Sequence, residues 1–145
     1  MTAAPDGEPE GGFAPLVPEL DVSDLDASLR FWCGILGFRI SYRRPEDGFA
    51  YLEREGAQVM LCRRNGNWET AALERPFGRG LNLQIAAAAL DPLRARLRAA
   101  GWPLFREAHA ARYRVGDGAV CLRQFLVQDP DGYLLRFTER LPPQP

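Results

Sequence analysis

The first half of the chain carries a helical repeat of apolar positions. Four apolar side chains recur at spacings of four, three and four, which places them on one face of an amphipathic helix: Leu25, Leu29, Trp32 and Leu36. Ser23, just before the repeat, is a suitable N-cap because its hydroxyl accepts a hydrogen bond from a free N–H at the helix start. Gly37, directly after the repeat, is suited to end the helix in a left-handed conformation. The pattern therefore predicts one helix between Ser23 and Gly37.

Short apolar runs separated by turn residues flank this helix. Alternating apolar positions bounded by Pro, Gly, Asp and Glu are typical of strands joined by tight turns. The predicted strands are residues 13–22, 38–43, 49–54 and 58–63. Pro15 and Pro18 favour an edge or irregular position for the first strand, because proline cannot donate a ladder hydrogen bond. The first half is thus predicted to have the order β-α-β-β-β.

The same order returns after a polar connector at residues 65–79. A second helix is predicted to begin at Asp91-Pro92, where the missing proline N–H costs little, and to end at Gly101. Residues 107–118 are compatible with either a longer strand or a flexible flap. The strands predicted in this half are residues 81–87, 103–106, 119–127 and 133–139.

The repeated order predicts an α+β domain built from two βαβββ modules. The modules span residues 13–64 and 79–140, within one domain at 13–140. A sheet with a single helix leaves its other face uncovered, so two such sheets facing one another would form a cleft, within one chain or across a dimer. Residues 1–12 are predicted to be a disordered tail, and the proline-rich residues 141–145 a second tail.

Composition and charge exclude several classes of function. The 18 basic residues are all arginine and are balanced by 19 acids, so the net charge of -1 gives no electrostatic footprint for nucleic acid. The three cysteines are far apart and form no CxxC pair, which favours reduced thiols and a cytoplasmic location over a disulfide scaffold. The first residues have neither a basic start nor an apolar run, so neither a signal peptide nor a membrane span is expected.

Two short segments resemble signatures of the vicinal-oxygen-chelate superfamily, which includes glyoxalase I, extradiol dioxygenases and bleomycin-resistance proteins. Residues 22–32, closing on Leu36-Gly37-Phe38, resemble its first-helix signature, and residues 125–137 resemble its final hairpin. With the repeat, the resemblance covers residues 15–139. It implies a glyoxalase/bleomycin-resistance fold and a homodimer with strand or module swapping.

The superfamily's enzymes carry His, Gln or Glu ligands on the first and last strands of each module, and this chain departs from that pattern. The last of these positions holds Arg136, whose guanidinium cannot ligate a divalent cation. The only histidine, His109, lies outside all four positions. The matching positions are Val17, the segment 60–62, one of Gly80, Asn82 and Gln84, and Arg136.

Glu19 is the remaining metal candidate, since it lies two residues after Val17 and can share that face. A set of Glu19, Cys62 and Gln84 is conceivable, but nothing in their spacing requires it. No metal and no cofactor is therefore expected. The departure favours the bleomycin-resistance-like branch, whose members sequester drugs without chemistry.

Three aromatic side chains and one loop tryptophan are considered as walls of the cleft. Trp68 lies on a polar loop and is either a lid that stacks on a flat ligand, a dimer contact or a core plug. Phe49 and Tyr51 share one strand face and form either an aromatic wall or core packing. Tyr113 lies on a flap over the cleft or on a solvated strand edge.

Two arginines complete the predicted ligand-binding set. Arg136 alternates with Leu135 and Phe137, so it points either into the cleft, towards a carboxylate, phosphate or planar group, or to the surface, or it pairs with Glu19. Arg123 is either cleft-facing or a charge at a strand end.

These observations predict a metal-free protein of the bleomycin-resistance type. It would sequester a bleomycin-like drug or a small metabolite in an aromatic-lined cleft and would catalyse no reaction. The alternative is a metal-dependent enzyme of the same superfamily: a lyase, a dioxygenase or a thiol transferase. The predicted partners are a small molecule and a second copy of the chain, with no nucleic acid and no membrane.

Overall fold

The computed structural model describes residues 6–142 and divides the chain into two compact units, one ending at Phe77 and the other beginning at Gly78. Each unit contains one four-stranded sheet. The boundary lies inside the predicted connector at residues 65–79. The predicted α+β class with two βαβββ modules is therefore confirmed.

Unit 1 is a mixed sheet covered by one helical segment. Its strands lie in the order β1-β4-β3-β2, with β1 parallel to β4 and β2 antiparallel to β3. The elements are β1 (Glu19–Val22), α1 (Leu25–Leu29), a π-helix (Arg30–Ile35), β2 (Arg39–Arg44), β3 (Phe49–Arg54) and β4 (Ala57–Arg63). Strands β2 to β4 therefore lie close to the positions that apolar alternation predicts.

The helix of unit 1 begins one residue later than predicted. Asp24 is the N-cap, and its carboxylate accepts the N–H of Ala27 at 3.1 Å. Serine and aspartate are equally common caps, so the residue pair Ser23-Asp24 does not by itself decide between them. Gly37 follows the helical segment with a φ of 82°, as predicted for a residue that ends a helix.

The helical segment covers one face of the unit 1 sheet. Arg54 in β3 donates its Nε–H to the carbonyl of Leu36 at 3.1 Å, which fixes the end of the segment against that face. This face holds a core of fully buried side chains, including Leu20, Val22, Phe31, Trp32, Leu52 and Leu61. Because side chains alternate along a strand, the opposite, helix-free face of unit 1 carries Glu19, Asp21, Phe49, Tyr51, Met60 and Cys62.

The residues before β1 form no strand, so the strand predicted at 13–22 is wrong for residues 13–18. This segment still lies against the sheet: Gln58 accepts the N–H of Ala14 at 2.8 Å, and Pro18 accepts the N–H of Met60 at 2.9 Å. Pro15 and Pro18 have no N–H to place in a ladder, which explains why regular pairing begins only after them.

The predicted tails are shorter than expected. Gly7 donates its N–H to the carbonyl of Ser41 at 3.0 Å, so residues 6–12 are attached to unit 1 instead of forming a free tail. Leu141 donates to the carbonyl of Cys121 at 3.0 Å and extends the last strand contact by one residue. Residues 1–5 and 143–145 lie outside the described residues.

Unit 2 repeats the arrangement with longer strands. Its order is β5-β8-β7-β6, with β5 parallel to β8. The elements are β5 (Asn82–Ala86), α2 (Asp91–Ala99), β6 (Arg106–Val115), β7 (Gly118–Gln128) and β8 (Leu134–Arg140). Gly101 follows α2 with a φ of 66°, as its predicted role requires. Within residues 6–142, no helix is long and apolar enough to cross a membrane.

Residues 107–118 form strand, not a flap. β6 pairs antiparallel with β7, and the two are joined by a turn at Gly116, whose φ is 60°. The strand predicted at 103–106 is wrong except for Arg106, because the ladder begins there. A register shift between Arg106 and His109 breaks the alternation that a sequence pattern would use to find the strand start.

α2 covers one face of the unit 2 sheet. Arg123 in β7 donates to the carboxylate of Asp91 at the start of α2, at 2.9 Å. On the same face Phe125 and Phe137 stack with ring centres 5.4 Å apart. The strand register places a second set of side chains on the opposite, helix-free face of unit 2, including Asn82, Gln84, Arg106, Gln124, Leu126 and Arg136.

Candidate functional site

An open groove of about 430 Å³ lies on the helix-free face of unit 1. Strands β1, β3 and β4 form its floor, and the loop after β4 forms one wall. It brings together four residues singled out from the sequence: Glu19, Phe49, Cys62 and Trp68. The other lining residues are Arg44, Glu46, Asp47, Arg63, Asn65 and Asn67, so the lining holds three acids and two arginines.

Trp68 forms the outer wall of the groove. Its side chain is 61% exposed, and its indole N–H is hydrogen-bonded to the carboxylate of Glu19. Asn65 accepts the N–H of Asn67 at 2.9 Å, which gives the preceding loop a turn of its own. A tryptophan that is held through its N–H and largely exposed is suited to stack on a flat ligand. This geometry favours the lid over the core plug.

Arg44 and Phe49 form the second planar surface of the groove. The guanidinium carbon of Arg44 lies 3.9 Å from the centre of the Phe49 ring, a cation–π contact at short range. Asp47 accepts the Nε–H of Arg44 at 3.1 Å, so the arginine charge has a carboxylate partner. Phe49 is only 4% exposed, because the arginine covers it. A ligand would therefore meet the Arg44 guanidinium that covers Phe49, not the bare Phe49 ring.

Two carboxyl groups of raised pKa lie on the helix-free face at the groove: Glu19 lines it, and Asp21 is buried two residues further along β1. Desolvation raises the pKa of Glu19, and the charge of Asp21 raises it further, while Arg44 and the hydrogen bond from Trp68 act in the opposite direction. Burial and then the charge of Glu69 raise the pKa of Asp21. Both carboxylates are therefore less stable here than in water, and a positively charged ligand group would stabilise them.

Cys62 lies on the same floor but is not an activated thiol. Burial raises its pKa, and the charges of Glu19 and Asp21 raise it further, against the lowering effect of Arg44. A thiol of raised pKa is protonated near neutral pH and is a poor nucleophile. The residue packs instead with Phe49 and Tyr51.

Tyr51 shares the helix-free face but is covered. Its ring is 2% exposed, stacks on Tyr42 with centres 5.2 Å apart, and meets the edge of Phe13 at 5.4 Å. Its hydroxyl donates to the side chain of Gln58. Tyr51 therefore supports the floor from within the core, which is the second of the two interpretations of this residue.

The remaining predicted site residues lie in unit 2. Arg136, on the helix-free face, is bonded to Asn82 and Gln84. Tyr113, on β6, accepts a hydrogen bond from Gln124 at 2.8 Å. Arg123 is bound to Asp91 on the helix side, which favours the strand-end charge, and we do not include it in a ligand site.

The sequence interpretation omitted several lining residues that a register argument would have found. A four-residue turn at 45–48 places Arg44 directly opposite Phe49 on the next strand. Asn65 and Asn67 belong to the turn that carries Trp68. For Phe13, assigned to a strand, no local pattern indicates that its ring covers Tyr51.

The residues at the metal-ligand positions do not fit a catalytic divalent cation. Arg136 takes the place of a carboxylate and brings a positive charge. The carboxylate of Glu19 is engaged by Trp68, and the thiol of Cys62 has a raised pKa. Among residues 6–142, no three His, Cys, Asp or Glu side chains are grouped so that they could hold a metal ion.

Several solved structures are similar to this chain. TioX from Micromonospora sp. ML1 is 26% identical, with a TM-score of 0.66 over 89% of this chain and 100% of that one. A glyoxalase/bleomycin resistance protein/dioxygenase superfamily member from Vibrio splendidus 12B01 is 34% identical over 85% of this chain and 95% of that one, with a TM-score of 0.39. A glyoxalase/bleomycin resistance protein/dioxygenase from Alicyclobacillus acidocaldarius is 19% identical over 88% and 91% of the chains, with a TM-score of 0.61.

The family assignment comes from the sequence as a whole. No curated protein matches the chain. A model of the Glyoxalase/Bleomycin resistance protein/Dioxygenase superfamily matches residues 16–137, which include both units. The chain therefore belongs to the glyoxalase/bleomycin resistance protein/dioxygenase superfamily.

Proposed function

We propose that this protein binds a flat, positively charged organic molecule in the groove of unit 1 and sequesters it unchanged, as a drug-resistance protein of the bleomycin-binding type does. The observation that carries the proposal is the position of Trp68. Its exposed indole is held by Glu19 at the rim of a groove of about 430 Å³, whose lining holds three acids and two arginines. This volume is in the range of small-molecule sites.

Each part of the groove has a role in such binding. Trp68 stacks on the ligand ring, and the Arg44–Phe49 pair offers a second planar surface. Glu19, which lines the groove, attracts a positive group and regains a stable charged state when it binds, and the buried Asp21 nearby adds to the negative field. The side chains of Asn65 and Asn67 supply polar contacts that orient the ligand.

Binding without reaction is proposed because the described residues that line the groove include no activated thiol and no histidine. The thiol of Cys62 has a raised pKa and would be protonated at neutral pH. General acid–base catalysis most often uses histidine, and the single histidine, His109, lies on β6 of unit 2. Glu19, a lining carboxyl of raised pKa, is hydrogen-bonded to Trp68, so we assign it to recognition of the ligand.

Tryptophan fluorescence tests this proposal directly. Of the three tryptophans, Trp32 is fully buried and Trp102 is bonded to the carbonyl of Gln128, so only Trp68 reports on the groove. We expect bleomycin to quench the emission of the full-length protein in a saturable way. Trp68→Phe should remove this signal and weaken binding measured by calorimetry about fivefold, since loss of the larger indole ring and of its N–H bond to Glu19 costs roughly 1 kcal/mol.

Phe105→Leu is the matched control, because Phe105 is 55% exposed and lies in unit 2, outside the groove. It should leave bleomycin affinity unchanged. Equal affinity of Trp68→Phe and the unmodified protein would contradict the assigned role of Trp68. Stoichiometric zinc, nickel, manganese or iron in protein purified without chelator, with activity restored by that metal, would favour the metal-dependent alternative instead.

We further propose a cytoplasmic location and a homodimer. The three cysteines are free thiols, which suits a reducing compartment. β6 is an edge strand of ten residues, and such an edge is a ready surface for pairing with a second copy.

A further inference from the structure

The described strand positions on the helix-free face of unit 2 carry a net positive charge. The register of β5, β8, β7 and β6 places three arginines on it: Arg106, Arg136 and Arg140. None of the strand positions on this face holds Asp or Glu. The two acids of these strands lie elsewhere: Glu139 alternates to the other face, and Glu107 lies 3.8 Å from Arg94 of α2.

Arg136 is held in place by neutral oxygen atoms. Its Nε–H donates to Oδ1 of Asn82 at 3.1 Å, and Nη2 donates to Oε1 of Gln84 at 2.8 Å. Amide oxygens orient a guanidinium without cancelling its charge. Within the described part of the chain, Arg136 takes part in no ion pair. A guanidinium has five N–H groups, so three remain for another partner.

We infer that Arg136 anchors a binding site in unit 2, which takes an anionic oxygen group, a carboxylate or a phosphate, of a small molecule. A guanidinium with its orientation fixed loses little entropy when it binds such a group in a bidentate manner. The site lies in unit 2 and does not rest on the function proposed for the groove of unit 1.

Arg106 extends the site across the sheet. It lies in the same row as Arg136, with Leu126 between them on β7. Since neighbouring strands are about 4.8 Å apart, the two arginine Cα atoms are roughly 10 Å apart. Long arginine side chains span that distance, so Arg106 adds a second positive charge to the field at the anion.

Gln124 adds a polar side chain to the same face of the sheet. It pairs with Thr138, two residues after Arg136 on β8, and is 4% exposed. Its Nε2 donates to the hydroxyl of Tyr113 at 2.8 Å and contacts Nε2 of His109 at 3.1 Å. Within residues 6–142, its Oε1 is buried with no hydrogen-bond partner. An N–H or O–H of the same ligand would satisfy this oxygen.

Side-chain NMR of the full-length protein tests the inference. We expect sodium acetate and inorganic phosphate, titrated separately at ionic strength held constant with chloride, to shift the Arg136 Nε–H resonance in a saturable way. Arg136→Gln should weaken binding about tenfold or more, because a charge-assisted bidentate pair is lost. Arg136→Lys should restore only part of the affinity, because the charge returns without the fork.

Arg112→Gln is the matched control. Arg112 lies on β6 opposite Cys121, on the other face of the same sheet, and its substitution removes the same charge. It should leave both titrations unchanged. Saturation by acetate alone assigns the site to carboxylates, and saturation by phosphate alone assigns it to phosphates.

Three outcomes would overturn the inference. The Arg136 chemical shift could depend on the chloride concentration, it could fail to saturate with acetate or phosphate, or Arg136→Gln and Arg112→Gln could bind these anions with equal affinity. The unmodified protein supplies the first two measurements, so the test holds even if Arg136→Gln does not fold. Trp68→Phe should leave the acetate titration unchanged. Failure here is therefore separate from failure of bleomycin binding.

Discussion

Glu53 is the residue that attaches the N-terminal segment to unit 1. Its carboxylate accepts the N–H of Glu10 at 3.1 Å, Nη2 of Arg39 at 2.9 Å and the hydroxyl of Ser41. Burial alone would raise the pKa of Glu53, but the hydrogen bonds from Ser41, Arg39 and Glu10 together hold it below the ordinary value of 4.5. A lowered pKa means that the folded protein favours the charged form.

Glu53→Gln should therefore destabilise the protein by about 2 kcal/mol at pH 7, the range expected for hydrogen bonds to a charged group. The contribution of this carboxylate is fully present above its unfolded pKa, near 4.5, and is lost as the pH falls through the lower folded value. Urea denaturation from pH 7 to pH 3 measures both effects. Glu8→Gln, an exposed change in the same segment, should have little effect on stability.

Some site residues can be identified from their side-chain chemistry alone, whereas others can be assigned only when the fold is known. A tryptophan on a polar loop is unusual enough to be singled out, and Trp68 does line the groove. Arg123 was ambiguous because strand alternation does not say which face the helix covers. The bond to Asp91 supplies that information, and it exists only in the folded unit.

Among the strands, those predicted well are bounded by clear turns. β3 matches its predicted range of 49–54, because its residues up to Glu53 form a continuous buried run and the turns on both sides are marked by glycine. The errors lie where the backbone is irregular. Residues 13–18 follow the sheet through side-chain and isolated backbone bonds, and β6 contains a register shift. Neither feature has a periodic signature.

The turn at the start of unit 2 contains two glycines with a positive φ, Gly78 and Gly80. Gly78 has a φ of 73°, and a Cβ added there would lie 2.6 Å from the ring of Tyr133. Gly80 has a φ of 87°, but a Cβ there meets nothing within 4 Å. Both alanine variants should lose about 1 kcal/mol or more to left-handed backbone strain. Gly78→Ala should lose a further 1–3 kcal/mol, roughly, because the Tyr133 ring must move.

Urea denaturation of the two variants separates these costs, since Gly80→Ala carries the strain without the clash. Equal stabilities would mean that the Tyr133 ring gives way freely. The ring is 7% exposed, so its movement disturbs the core of unit 2. We therefore expect the difference to appear in the free energy of unfolding and not only in local mobility.

In the whole molecule, the repeated order of elements predicts two similar units. The net charge of the chain does not show that the helix-free faces of the two units carry different charged residues. The helix-free face of unit 1 carries Glu19, Asp21 and Glu53 together with Arg39 and Arg44, whereas the strand positions on the helix-free face of unit 2 carry Arg106, Arg136 and Arg140 and no acid. Composition cannot show this difference, because it depends on strand register.

The edge strand of unit 2 bears on how the protein assembles. The edge strand β6 ends in exposed apolar side chains, with Val115 60% and Tyr113 39% exposed. A long edge with apolar side chains is costly to leave in water and is covered when a second copy pairs along it. Sedimentation equilibrium should therefore give twice the chain mass of 16.2 kDa.

Val115→Glu should shift the equilibrium towards 16.2 kDa, because pairing would bring the new charge on each copy into the apolar contact. Leu16→Glu, a matched change at a side chain that is 82% exposed in unit 1, should leave the mass doubled. A doubled mass in both variants would place the interface away from Val115. A mass of 16.2 kDa for the unmodified protein at micromolar concentration would instead show that β6 does not pair with a second copy. The arginines and the bulge of β6 would then be the features that prevent pairing along this edge.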